Sequence, residues 1–300
     1  MEPKKMALLI LLITTAFWGG NFVVGKVVVN YIPPFMMSLG RWIIALFLLI
    51  PMLYKKGWPK FDEWKGYWFQ ITILSLSGIV GFTTLVYFAV KYTTAVNAAL
   101  VNSLTPAVIV LLSWIVLSER LTKIQLLGIL VSIIGVIIVI SRGSAATFIN
   151  FQFNIGDLLM IIAVILWGIY SIIMKKLTVH LSSLAVTTLS AIIAMMFLLP
   201  LTFWELINTE RVIFNATTVF GLIYIGVFAS VLAFLGWNNG VIKLGPGKAG
   251  VFINLIPVYA ALFSFLFLNE KLQIHQITGG IIVIIGVLIT NYNDLLKKKA

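Results

Sequence analysis

AALVNSLTPAVIVLLSWIVLSERLTKIQLLGILVSIIGVII, residues 98–138, is met again 151 residues later as AGVFINLIPVYAALFSFLFLNEKLQIHQITGGIIVIIGVLI, residues 249–289. The two stretches agree at 15 of 41 ungapped positions. Shared apolar composition can produce matching Ile and Leu. It does not align Pro106 with Pro257, Glu119 with Glu270, Gln125 with Gln276, Gly128 with Gly279 and Gly135 with Gly286, or set Arg120 against Lys271. The stretch is a duplicated unit. Each copy is an apolar run with one proline near its start, a polar turn carrying Glu and a base, and a second apolar run with Gly at a spacing of seven. That pattern is a helical hairpin built for a membrane.

Composition agrees. Of 300 residues, 61% are hydrophobic and 10% charged, with a mean hydropathy of +1.10. A water-facing domain carries about 25% charge. Apolar runs of membrane-crossing length recur along the chain, and such spans must satisfy their backbone polar groups internally. The segments are continuously apolar rather than alternating, which excludes a β-barrel. A net charge of +12 could point to nucleic acid. Its location in short loops and chain ends instead matches the basic bias of cytoplasmic loops, and no nucleic-acid partner is expected. There is no cysteine, and the two histidines, His180 and His275, fall in separate predicted loops. No metal, cofactor or disulfide is therefore expected.

Ten spans are predicted, at about 6–29, 35–54, 67–90, 95–117, 123–141, 156–174, 181–203, 217–241, 247–268 and 274–292. The first is too long for a signal-peptide core and is read as a retained span. No soluble domain fits anywhere. With the N-terminus inside, the inner loops and tails hold fifteen Lys and Arg and the outer loops four. Both termini are thus expected in the cytoplasm, with the protein multi-pass in the cell membrane.

Five spans per copy is odd, so the second copy enters the membrane inverted. The repeat reaches back to its start, where Trp18-Gly19 matches Trp167-Gly168 and Lys26 matches Lys175 at a spacing of 149. Inverted repeats are a transporter architecture, with the site near the midplane between them. The expected division is 1–142 for the first repeat, 143–154 for a linker, 155–292 for the second repeat and 293–300 for a basic cytoplasmic tail.

These residues resemble the drug/metabolite transporter superfamily in its EamA-type branch. The resemblance rests on Trp18-Gly19, Arg41, Tyr87-Phe88-Ala89-Val90, Asn97-Ala98-Ala99-Leu100, Leu104-Thr105-Pro106 and Leu117-Ser118-Glu119-Arg120-Leu121, with their second-copy echoes. It covers roughly residues 6 to 292. It implies an all-α polytopic fold of ten transmembrane helices, arranged as two inverted five-helix EamA repeats around a central cavity, with the fifth and tenth helices outside. It also implies transport or export of a small metabolite, amino acid or drug, and leaves the substrate open.

Candidate site residues follow from faces and breaks. Trp18, Asn21, Phe22 and Gly25 share one face of the first helix, and Trp167, Tyr170, Ser171 and Met174 the matching face of the sixth. Aromatics with a few polar atoms suit an amphipathic solute. Close helix packing is the rival reading. Tyr87, Trp237, Asn238 and Asn239, on the third and eighth helices, are expected to face the same space. Pro106 and Pro257 each free a helical carbonyl, at Asn102 and Ile253, and are read as hinges. Asn102, Thr105 and Asn254 form the polar wall beside them, against the bland reading of a static kink.

Arg41 is assigned a structural role, either snorkelling to the outer interface beside Trp42 or holding a carbonyl. Glu119 and Glu270 are read as structural too, capping the next helix and tying the turn. No acidic residue lies in a predicted span core, and Asp157 comes nearest. A proton and an exchange solute both stay open as coupling partners, alongside the small-molecule substrate and the bilayer, and the protein is read as a monomer or homodimer. Few charges on the cavity faces favour a neutral, zwitterionic or weakly charged amphipathic solute over a phosphate ester. A multi-spanning enzyme, or a receptor or scaffold, is the alternative. The enzyme reading lacks HExxH, paired aspartates in spans and a placed nucleophile.

Overall fold

The computed structural model describes residues 3–117, 122–144, 153–208, 212–244 and 246–290. Among them every regular element is helical. Ten spans form: α1 (Pro3–Val28), α2 (Pro34–Lys56), α3 (Phe61–Tyr92), α4a (Ala95–Asn102) with α4b (Thr105–Leu117), α5 (Lys123–Ile140), α6 (Ile155–Leu177), α7 (Ser183–Ile207), α8 (Ala216–Leu244), α9a (Pro246–Ile253) with α9b (Ile256–Leu268), and α10 (Ile274–Thr290).

Local chemistry starts and stops these helices. Pro34 opens α2 where a missing N–H is harmless, and Gly57 closes it at φ 98°, a conformation only glycine adopts freely. Thr94, Thr122, Asn154, Ser182 and Asn215 cap α4a, α5, α6, α7 and α8, each side chain accepting a first-turn N–H.

The two repeats interlock. Helix α1 packs on α8 and α9b, while α6 packs on α3 and α4b; α2 lies against α7, and α5 against α10. The α5/α10 contact fixes the symmetry. Ser132 Oγ donates to the carbonyl of Val283 at 3.5 Å, and the two are equivalent positions 151 apart. A Cβ on Gly135 would collide with Val283 N and Gly279 O, and one on Gly286 with Ser132 N and Gly128 O. Those are the same contacts exchanged between copies, with higher numbers on one helix facing lower numbers on the other. The helices are antiparallel, so the axis relating the copies lies across them, in the plane of the membrane.

Three features depart from continuous spans. Helices α4 and α9 are broken, at Ser103–Leu104 and Asn254–Leu255. Pro106 and Pro257 stand in the first turn of the piece after each break, and so start a new helix instead of kinking an intact one. In α3 and α8 the helix widens into π turns at Ser75–Phe82 and Ile225–Leu232, 150 residues apart. Gly78 lies in the first of these, and a Cβ there would run into the ring of Tyr170. A widened turn re-aims side chains into the core. Finally, α3 begins early, with a short turn over Phe61–Trp64.

Candidate functional site

The breaks and π turns converge on the middle of the bundle, where aromatic rings fill the space. Trp18 and Trp167 stand edge to face with centroids 5.5 Å apart, and Trp237 lies 5.6 Å from Trp18. Phe234 packs on Trp167 at 5.4 Å, Phe82 on Trp167 at 4.6 Å, and Tyr170 stacks on Trp167 at 4.7 Å. Offset and edge-on pairs of this kind are favourable beyond their buried area.

Against this cluster lies a cavity of about 30 Å³, lined by Trp18, Asn21, Phe22, Phe82, Val86, Asn102, Trp167, Ile253 and Ile256. A second, of about 10 Å³, is bordered by Ser171, Met174, Lys175, Trp237 and Asn238 among others. Ligand pockets run from about 300 Å³ upward. Both voids are of the order of one or two water molecules. The centre is closed.

The predicted candidates thus divide. Trp18, Asn21, Phe22, Asn102 and Trp167 share the first cavity, and Ser171, Trp237 and Asn238 border the second. Tyr170 belongs to the aromatic cluster. Thr105 turns back, its hydroxyl donating to the Asn102 carbonyl at 2.6 Å. It thereby satisfies the acceptor that Pro106 frees. Asn254 is buried at the α9 break, with neither side-chain polar atom hydrogen-bonded. Its second-half neighbour Ile256 replaces Thr105 and has no hydroxyl to offer.

Tyr87 stands behind Asn21 and joins it to Arg41. Of the two roles expected for Arg41, snorkelling to the interface is corrected, since it is 2% exposed, whereas the alternative of holding a carbonyl is what its contact with Ala229 shows. Its Nε donates to Ser230 Oγ at 2.8 Å, one terminal nitrogen donates to the Tyr87 hydroxyl at 2.6 Å, and the other to the Ala229 carbonyl at 3.4 Å. Tyr87 donates onward to Asn21 Oδ1 at 3.1 Å. Trp18 Nε1 donates to the same Ala229 carbonyl at 3.2 Å. The guanidinium therefore ties α2 and α3 of one repeat to the π turn of α8 in the other.

Charged groups elsewhere sit where helices end. Lys26 donates to the carbonyls of Val90 at 2.7 Å and Thr93 at 2.8 Å, at the C-terminus of α3. Asp157 Oδ1 accepts from Thr93 Oγ1 at 2.7 Å. Glu205 accepts from the backbone N–H of Met36 at 3.0 Å, capping α2 from the other repeat. Glu119 lies outside the described residues. Glu270 does not cap α10. That place is taken by Gln276, whose Oε1 accepts from Gln273 N at 2.8 Å. A side chain three residues into the helix points back over the N-terminus and reaches the N–H just before it, the geometry of a capping box.

Phe82, Val86, Phe234, Ile256 and Ser230 were not singled out from sequence, and Ile253 only for its carbonyl. Phe234 lies three residues before Trp237, a helical spacing that would have found it. Ser230 and the cavity-lining aliphatics sit in uniformly apolar runs and carry no such signal.

The EamA-like transporter family matches this chain twice, at residues 5–141 and 154–292. A protein of Archaeoglobus fulgidus named as an uncharacterized transporter is 30% identical over 283 residues, covering 94% of this chain and 96% of its own length. The Bacillus subtilis transporter YyaM is 31% identical over 276 residues, covering 91% and 89%. YetK, from the same organism, is 31% identical over 286 residues, covering 95% and 85%. One solved crystal structure superposes with a TM-score of 0.65 at 17% identity, over 98% of this chain and 99% of its own, a likeness of fold.

Proposed function

This chain belongs to the EamA-like transporter family, and on that premise we propose that it moves a small metabolite, amino-acid-like or amphipathic, across the cytoplasmic membrane by alternating access between its inverted repeats. One observation carries the reading. Equivalent tryptophans of the two repeats, Trp18 and Trp167, meet over a cavity of about 30 Å³ at the centre of the bundle. A solute cannot occupy that volume, so transport requires the repeats to part on one side at a time. The broken helices α4 and α9 supply the parts that move: each pairs a short piece with a longer one across a two-residue break, and Pro106 and Pro257 hold the breaks open.

Trp18, Asn21, Phe22, Asn102 and Trp167 form the central binding surface in this scheme. Trp237, Asn238 and Ser171 form the exit toward one end. No carboxylate lines either void among the described residues, which favours carrier or exchange behaviour over tight proton coupling. The excess of basic residues in the loops at one end of the bundle supports a cytoplasmic assignment for that end and for both termini.

The test is a thermal-shift screen of the purified protein against amino acids, nucleobases and cationic drugs. Compounds that stabilise it are then taken to flux assays in liposomes, with and without a proton gradient. Stabilising compounds that never cross protein-containing liposomes faster than empty ones would overturn the transport reading.

A further inference from the structure

The hydrogen-bond directions around the central cavity determine what kind of group it receives. A guanidinium has only donors. The Tyr87 hydroxyl therefore accepts from Arg41, and its single hydrogen is committed to Asn21 Oδ1. With its oxygen so occupied, Asn21 turns its Nδ2 hydrogens to the cavity that it lines. Asn102 lines the same cavity. The single Thr105 hydrogen goes to the Asn102 backbone carbonyl at 2.6 Å and leaves Oδ1 only a 3.4 Å contact, so this amide is free to turn its Nδ2 hydrogens to the cavity. Both amides are more than nine-tenths buried. The other lining side chains are carbon apart from the indole nitrogens, and that of Trp18 is already committed to Ala229.

Behind this donor pair stands Arg41, fully buried, hydrogen-bonded to Tyr87, Ser230 and the Ala229 carbonyl and lying over the Trp42 ring, with no carboxylate beside it among the described residues. A buried charge without a counter-charge is costly, and inside a membrane it points to a functional partner.

We propose that the cavity is the seat of a carboxylate: the Asn21 and Asn102 amides donate to the acid group of a solute whose apolar or aromatic body lies on Trp18, Trp167 and Phe82. Arg41 acts as a positioning residue. Through Tyr87 it fixes the orientation of Asn21, and it supplies the positive charge the solute answers. This rests on the transport reading, and it narrows the amphipathic class to acids.

Titration of tryptophan fluorescence in nanodiscs tests it with a matched series: 3-phenylpropionate, phenylalanine, 3-phenyl-1-propanol and phenethylamine. The acid should bind about tenfold or more tightly than the alcohol or the amine, the difference between a charged and a lost hydrogen bond. Asn21→Asp keeps the acceptor for Tyr87 and places a carboxylate in the donor's position, so the order should reverse. Arg41→Gln should reduce the advantage of the acid over the alcohol without raising affinity for the amine. If Asn21→Asp fails to fold, Asn102→Asp carries the same expectation from the facing wall.

Equal or tighter binding of phenethylamine to the natural protein would overturn the proposal. So would a preference that Asn21→Asp leaves unchanged, or no binding of the acid at all. Acid-selective binding without flux would sink the transport reading and leave this one standing. Flux of amines in preference to acids would do the reverse.

Discussion

Trp18 and Trp167 occupy equivalent positions in the two repeats, and their rings meet edge to face, 5.5 Å between centroids. Equivalent residues of an inverted pair touch only on the axis that relates them, as Ser132 and Val283 do at the far side of the bundle. The surroundings of the two indoles differ. Trp18 donates to Ala229, while Trp167 is stacked on Tyr170. The same position thus carries a hydrogen-bonding ring in one half and a packing ring in the other.

Trp18→Ala is expected to reduce flux at least tenfold and to destabilise the fold by about 3 kcal/mol or more, through loss of a buried indole. Trp18→Phe should keep the ring contacts and lose only the bond to Ala229, at about 1 kcal/mol. Flux in liposomes, normalised to inserted protein, separates the two effects. Undiminished flux in Trp18→Ala would remove this residue from the site.

Arg41→Lys should behave as a severe substitution although it keeps the charge. The guanidinium fork reaches Ser230 and Tyr87 at 2.8 and 2.6 Å simultaneously. A single ammonium nitrogen, lacking the planar fork, does not replace both. The thermal midpoint of the purified protein should fall, for a loss of about 2 kcal/mol or more. A midpoint equal to that of the natural protein would show that the bridge between α2 and the α8 turn contributes nothing.

The fold was legible because duplication survives in residues that composition cannot supply, such as Pro106/Pro257 and Gly135/Gly286. The odd count of spans then required inversion. The breaks in α4 and α9 were half legible: proline marked the place, but whether it kinks or restarts a helix depends on the residues just before it. The π turns were not legible, since Ser75–Phe82 and Ile225–Leu232 are apolar runs of ordinary helical composition. The Arg41 network joins residues 46 and 189 positions apart, and no local period encodes that. A signal existed in the mismatches. At offsets of 149 and 150, Arg41 faces Ser190, Asn21 faces Tyr170 and Tyr87 faces Trp237, so the three networked residues change character together between the copies.

Gly135→Leu should lower folded yield and leave substrate preference alone. Any Cβ there meets the backbone of Gly279 and Val283 on α10, which can yield only if the two helices separate. Detergent-resistant monodisperse protein, measured by size exclusion, should fall several-fold, with the surviving fraction showing an unchanged order of ligand-induced stabilisation. A changed order would mean that α5 and α10 take part in the site instead of buttressing it.

Thr105→Val isolates the α4 break. The Thr105 hydroxyl donates to the Asn102 carbonyl at 2.6 Å, the acceptor released by Pro106, and also contacts Asn102 Oδ1. Valine has nearly the same shape and no hydrogen to give. The carbonyl would be left in a buried, water-poor place, costing about 1–3 kcal/mol. Part of that cost can be relieved by turning the Asn102 amide toward its own backbone, which withdraws Nδ2 from the cavity. The variant should therefore lose both thermal stability and affinity for whatever ligand stabilises the natural protein, whereas Ile256→Val, the equivalent site in the other half, should lose little of either. If both variants behave alike, the break in α4 has no polar role beyond that in α9, and the asymmetry between the two halves lies only in the Arg41 network.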